Sequence, residues 1–238
     1  MKNILKKEWL LWLFLALPFI YTAIIWNSLP DKVPTHWDMN NHVNGYSSKA
    51  FAGFFAPCFN VGLYLFFCGL FWALPRIDPR KASYENMGDT LYKIRAGVTI
   101  FMTLMFLFIM NSMLTQNPVI ATKAIAVLMM LLFIVLGNYM RTLRPNYFVG
   151  IRTPWTIDNP EVWIRTHDVG GKIIFYTGIF GALIVLAIDF VSSNDLFPIG
   201  TAIALLIGAA IYIIYYSYKL FNRLEKETGR NPNDTMRV

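Results

Sequence analysis

The side chains best able to do chemistry in this 238-residue chain are gathered in a few short stretches. Between Leu29 and Tyr46 the run LPDKVPTHWDMNNHVNGY places His36, Asp38 and His42 around Trp37. Imidazole and carboxylate are ligands for zinc or another borderline metal. Their spacing matches no closed ligand set, and no metal is expected. The same residues suit a packed loop that caps a helix bundle. They equally suit a surface that offers aromatic and imidazole contacts to a peptide, with Gly45 and Tyr46 beside them. Between Arg144 and His167, RPNYFVGIRTPWTIDNPEVWIRTH concentrates arginine, tryptophan and proline between two apolar runs. Asp189 lies near the end of an apolar run, with Lys123 at the start of another as its natural partner, because a carboxylate at membrane depth is costly unless paired. No H-E-x-x-H, no G-x-S-x-G and no carboxylate pair at membrane depth occurs, which leaves no catalytic residue or cofactor to assign and argues against an enzyme.

These stretches are set between long apolar segments. Hydrophobic residues make up 56% of the chain and charged residues 15%, too few to cover a water-soluble surface. Trp9–Trp26, Ala50–Leu74, Ala96–Asn117, Ala124–Met140, Ile173–Ile188 and Leu196–Tyr218 are free of Asp, Glu, Lys and Arg. Most approach the roughly 20 residues that cross a bilayer core. The fourth and fifth are short, and snorkelling by Lys123 and Lys172 completes them. The expected fold is all-α, a polytopic bundle of six transmembrane helices. Gly53, Gly62, Gly69, Gly178 and Gly181 predict close helix contacts, and Asn60, Asn111 and Asn138 predict hydrogen bonds between helices. Pro18 and Pro57 predict kinks. Cys58 and Cys68 lie about 15 Å apart along one helix, beyond disulfide reach, and read as packed thiols.

Charge placement orients the bundle. Lys2, Lys6 and Lys7, then Arg76, Arg80, Lys81, Lys93 and Arg95, then Arg141, Arg144, Arg152, Arg165 and Lys172, and finally Lys219, Arg223, Lys226, Arg230 and Arg237 all fall on one face if both termini are cytoplasmic. The net charge of +7 is then juxtamembrane anchoring, and no direct nucleic-acid contact is expected. The chain reads as a single membrane domain over 1–238. It has an extracytoplasmic loop at 28–49, cytoplasmic loops at 75–95 and 141–172, and a cytoplasmic tail at 219–238.

The longer cytoplasmic loop has local structure of its own. Asn159, Pro160 and Glu161 supply a capping side chain, a fixed φ and an acid at the positive helix end, predicting a short helix from Pro160 to about Val169. Helical spacing puts Trp163, Thr166 and His167 on one face. That face reads either as an interfacial anchor or as a partner-binding surface, with Gly150 and Gly170-Gly171 as hinge positions.

Two resemblances join these observations. The outer stretch, through Leu29-Pro30, Pro34, His36, Trp37, Gly45 and Tyr46, resembles DUF1648, a short domain recurring in bacterial membrane proteins. The segment with Pro145-Asn146, Phe148, Gly150 to Thr156, Val162-Trp163 and Thr166-His167 resembles the signature of the SdpI-type immunity proteins. That resemblance implies a multi-pass protein of the bacterial cell membrane that gives resistance to a secreted antimicrobial peptide. It also implies a receptor that sequesters a small cytoplasmic repressor. Toxin contact is then expected at His36, Trp37, Asp38, His42, Gly45 and Tyr46, and repressor contact at Phe148, Gly150, Arg152, Trp155, Trp163 and His167. The alternative is a small transporter or ion pathway, for which no inverted repeat is visible.

Overall fold

The computed structural model describes the backbone of residues 2–38, 40–191 and 197–227, and the side chains of 8–38, 40–188 and 197–227. Six long helices carry the fold: α1 (Lys2–Ile25), α2 (Lys49–Ile77), α3 (Gly88–Thr115), α4 (Val119–Met140), α6 (Pro160–Val191) and α7 (Phe197–Glu227), with a one-turn helix α5 (Pro154–Asp158) before α6. All six are long and apolar enough to cross a membrane. The fourth and fifth spans reach further than their uncharged stretches. Lys172 closes an i,i+4 pair with Asp168 at 2.6 Å, and Asp168 also accepts from Arg141 Nε at 2.8 Å, so the charged turns of α4 and α6 satisfy each other.

The helices form two triplets, α1–α2–α3 and α4–α6–α7, joined along α3 and α4. The tightest approach is between α4 and α6. A Cβ on Gly137 would stand 2.5 Å from the Phe175 amide nitrogen, and one on Gly178 would stand 2.8 Å from the Met130 carbonyl. Close backbone approach at small residues is how helices gain van der Waals contact where lipid removes the hydrophobic drive. Gly53 and Gly181 are also packed, but against side chains, those of Trp26 and Met130. Gly62 and Gly69 are not: nothing stands within 4 Å of either, because their face of α2 points away from the bundle. Pro18 and Pro57 sit inside unbroken helices, and the hydroxyl of Thr22 caps the Pro18 carbonyl at 2.8 Å.

At one end of the bundle the chain between α1 and α2 forms an antiparallel hairpin, β1 (Lys32–Trp37) and β2 (Val43–Ser48). Val33, fully buried, plugs it into Ile25, Leu29 and Ala52. Ser48 then caps α2 by accepting the Phe51 amide. The helical expectation therefore holds for the spans, while this connection is sheet.

The short helix expected from Pro160 to Val169 is instead the first part of the continuous α6. Asn159 does start it, accepting the Glu161 and Val162 amides at 2.9 and 3.3 Å. Gly170 and Gly171 do not interrupt it. A Cβ on Gly171 would meet Arg141 at 2.5 Å and the Gly137 carbonyl at 2.7 Å, and one on Gly170 would meet Ile151 at 2.8 Å. They are contact positions rather than hinges, and tertiary packing overrides the low helix propensity of glycine.

Candidate functional site

The hairpin end is built by a bulged ladder. Lys32 pairs with Ser48 and Pro34 with Tyr46, then the register shifts so that His36 faces Gly45 and Trp37 faces Val43. Gly45 is required by this crossing, because a Cβ there would stand 2.9 Å from that of His36. The turn is closed by Asp38, whose Oδ1 accepts the Asn40 and His42 amides at 2.8 and 2.9 Å while Asn41 takes φ 63°. The His42 amide bond, with the Asn40 amide and His42 imidazole assisting, holds the Asp38 carboxyl below its ordinary pKa. His36 Nδ1 pairs with Asn44 Oδ1. His42, His36 and Tyr46 are exposed, Tyr46 to 62%.

Behind this turn lies an open cavity of about 410 Å³. Thr35, His36, Trp37, Asp38 and Asn41 form one wall, and Ile109 and Ser112 of α3, Ala121 and Ile125 of α4 and Ile199 of α7 form the others. The structure thus brings His36, Trp37 and Asp38 together on one cavity and leaves His42 and Tyr46 on the outer surface. Among the described residues no His, Cys, Asp and Glu cluster could hold a metal ion.

At the other end the chain from Arg144 to His167 is tied down by buried polar groups. Asn146, fully buried, accepts the Phe148 and Val149 amides at 2.8 and 2.7 Å and donates to the Arg144 and Val149 carbonyls. Asp78 accepts the Tyr147 amide at 2.9 Å, the Arg80 amide at 2.7 Å and the Tyr84 hydroxyl at 2.7 Å. Burial opposes its ionisation, but these donors and the Arg80 charge together hold its carboxyl below the usual range. Burial and the neighbouring carboxylate push the Tyr84 hydroxyl up.

Trp163 and His167 stack at 4.1 Å between ring centroids and are both buried. His167 Nδ1 donates to the Trp163 carbonyl at 2.9 Å, which leaves Nε2 to accept the Ile151 amide at 2.9 Å. Trp163 Nε1 donates to the Leu143 carbonyl at 3.0 Å. Gly150, at φ 121°, passes so close to this pair that a Cβ would stand 2.4 Å from His167 Nε2. It is held in place and is no hinge. Trp155 donates to Ser217 of α7 at 2.6 Å. Thr153 and Thr156 cap α5 reciprocally. The surface this scaffold presents is Phe148, 39% exposed, with Tyr147 and Arg152, whose Nη1 donates to the Tyr147 carbonyl at 2.7 Å.

Residues 142–217 match the SdpI/YfhL protein family, and residues 13–61 match DUF1648. Over 223 residues, 92% of this chain and 99% of the other, it is 23% identical to Immunity protein SdpI of Bacillus subtilis (strain 168). No solved structure matches it. The SdpI match covers the tied loop, α6 and most of α7, and the DUF1648 match covers the second half of α1, the hairpin and the start of α2. With six apolar helices, this is a multi-pass protein of the bacterial cell membrane in contact with lipid.

Within the spans, Asn60 donates to Thr103 at 2.8 Å and Tyr21 to Asn111 at 3.2 Å, both between helices. Asn138 is exposed near the end of α4 and makes no such bond, because it faces away from α3 and α6. Asp189 belongs to α6, but its side chain lies outside the described residues, and so does the expected pairing with Lys123. Cys58 is exposed rather than packed. The sequence reading missed Glu8, which is 5% exposed and pairs with Arg95 between α1 and α3 while accepting the Tyr64 hydroxyl at 2.6 Å. Arg95 also donates to Cys68 Sγ at 2.6 Å and lies over the Tyr64 ring. A glutamate directly after Lys6-Lys7, with an arginine at the edge of a span, carries no spacing signal that joins them.

Proposed function

We propose that this protein is a membrane-embedded immunity protein that gives resistance to a secreted antimicrobial peptide. The observation that carries this reading is the similarity to an immunity protein along 99% of that protein's length. The hairpin supports it as the receiving surface, since it projects His36, His42 and Tyr46 beyond the bundle and opens onto a cavity. The basic residues around the other end favour an orientation with both termini cytoplasmic and the hairpin outside. On that orientation the chain is one membrane domain, and the Phe148, Tyr147 and Arg152 surface is the docking face for a cytoplasmic repressor. Trp163, His167 and Gly150 hold that face in shape from beneath. The test is survival of a sensitive bacterium exposed to membrane-depolarising peptides, with and without this protein. Reporter fusions after Asn40 and Leu143 check the orientation.

A second reading, a small transporter or ion pathway, is favoured by the buried Glu8–Arg95 pair, because ionisable groups at membrane depth mark ion routes. Flux into liposomes containing the purified protein separates the two.

A further inference from the structure

Along the flank of α6 runs an open groove of about 400 Å³. Tyr176, Phe180 and Ile184 line it from α6 and Leu205 from α7, and the three α6 side chains are exposed. Lys172 stands at its head, twelve residues before Ile184, so the strip extends about 18 Å along the helix. That is close to half of the roughly 30 Å hydrocarbon core, the depth of one leaflet. Within an apolar span such a groove is filled by an acyl chain, because water is absent there and an empty trough forfeits the contacts of its walls.

Charge at the head of the groove selects among lipids. Lys172 Nζ donates to Asp168 Oδ2 at 2.6 Å and Arg141 Nε to Asp168 Oδ1 at 2.8 Å, so two cations share one carboxylate and one positive charge is left over. Both cations are about half exposed, at 45% for Arg141 and 49% for Lys172, and among the described residues the groove lining holds no carboxylate. An anionic phosphodiester meets that surplus charge, whereas phosphatidylcholine carries its own cation and gains less. A second copy of the chain is disfavoured on this face. Two copies inserted in the same orientation are related by an axis along the membrane normal, which sets each Lys172–Arg141 cluster at the depth of its counterpart and opposes like charges. We propose that this groove binds one anionic phospholipid, with its acyl chain along Tyr176, Phe180 and Ile184 and its phosphate on Lys172 and Arg141. On the orientation favoured by the basic clusters, that lipid belongs to the cytoplasmic leaflet. The site goes beyond the immunity reading and does not depend on it.

The full chain in phosphatidylcholine nanodiscs is given trace phosphatidylglycerol or phosphatidylcholine bearing a diazirine in the acyl chain, and the adducts formed on illumination are mapped by peptide mass spectrometry. Labelling over residues 173–184 is expected to be about fivefold or more stronger with phosphatidylglycerol. The exposed α2 face at Leu65 and Phe66 is expected to take both lipids alike. Lys172→Gln should bring the ratio to about one, and Asp168→Asn, which releases both cations, should raise it above wild type. The double variant Lys172→Gln/Asp168→Asn, left with the Arg141 charge alone, is expected to restore the wild-type ratio, an outcome that a folding defect would not produce. Leu205→Trp fills the groove and is expected to lose most of the phosphatidylglycerol labelling. Equal labelling by the two lipids in wild type, a lowered ratio in Asp168→Asn, or undiminished labelling in Leu205→Trp would overturn the proposal. So would labelling by neither lipid, as a second copy seated on the face would give. Displacement of the lipid by inorganic phosphate, but not by sodium chloride of equal ionic strength, would assign the site to a free anion and overturn it as well.

Discussion

Glu8 and Arg95, 87 residues apart in sequence, form an ion pair inside the α1–α2–α3 triplet, with side chains only 7% and 12% exposed. The Tyr64 hydroxyl and the Cys68 sulfur complete the set of partners. Removing one member leaves the other charge buried alone, which costs about 3–5 kcal/mol. Arg95→Ala and Glu8→Ala are each expected to lower the unfolding temperature in detergent strongly. The double change Glu8→Leu with Arg95→Met is expected to recover most of the loss, since no unpaired charge remains. A double variant as unstable as the singles would show that the pair matters through geometry rather than charge.

The Trp163–His167 stack makes a second prediction. Trp163→Ala removes a fully buried indole and leaves the Leu143 carbonyl without its donor, an expected loss of about 3–5 kcal/mol. His167→Ala strands the Ile151 amide and is expected to cost about 1–3 kcal/mol. Both should lower membrane abundance, and hydrogen exchange at Ile151 should rise in the second. Arg152→Ala and Phe148→Ala act on the exposed face and are expected to leave abundance unchanged. If a repressor docks here, those two variants release it from membranes while Trp163→Ala loses repressor binding and protein together.

How far these features were legible in the sequence depends on whether they are local. The Asn159 cap with Pro160 and Glu161 marks the start of α6, because capping is decided within one turn. Helical spacing correctly put Trp163 and His167 on one face. It could not say that the face turns inward, since that depends on Leu143 and Gly150 arriving from another segment. The end of that helix was misread for the same reason: Gly170-Gly171 looks like a break until Arg141 and Gly137 are placed beside it. The hairpin was hidden by Pro34 and by a turn closed through the Asp38 side chain rather than by an Asn-Gly pair at its centre. Arg95 sits among basic residues that anchor at the interface, and only the fold gives it Glu8.

The α4–α6 seam separates contact glycines from exposed ones. Gly137→Ala and Gly178→Ala press a methyl against backbone and are expected to cost about 1–3 kcal/mol each. Gly62→Ala and Gly69→Ala meet open space and are expected to change stability by less than about 0.5 kcal/mol, or to raise it slightly through helix propensity. Thermal unfolding of the four single variants in one detergent distinguishes the two classes.

Acid should loosen the signature end through Asp78. Its folded pKa is depressed, so its contribution to stability is present above the unfolded carboxylate value of about 3.9 and is lost as pH falls through the lower folded value. Unfolding temperature is expected to drop below about pH 4 in wild type. Asp78→Asn keeps one oxygen for the Tyr84 hydroxyl and the Tyr147 amide, which share Oδ2, but sets an NH2 against the Arg80 amide that Oδ1 accepts, so it should be less stable at pH 7 and show a weaker acid dependence. An identical acid profile in the two proteins would remove Asp78 from this account.

The central claim is tested most directly by survival. A sensitive bacterium expressing wild type, the His36→Ala/Trp37→Ala double variant or empty vector is exposed to a graded series of secreted membrane-depolarising peptides, with membrane abundance measured in each culture. Wild type is expected to raise the lethal concentration of at least one peptide well above that of empty vector, and the double variant, at equal abundance, to lose most of that gain. Survival of wild type indistinguishable from empty vector across the series would contradict the immunity function, and undiminished protection by the double variant would contradict the hairpin as its receiving surface.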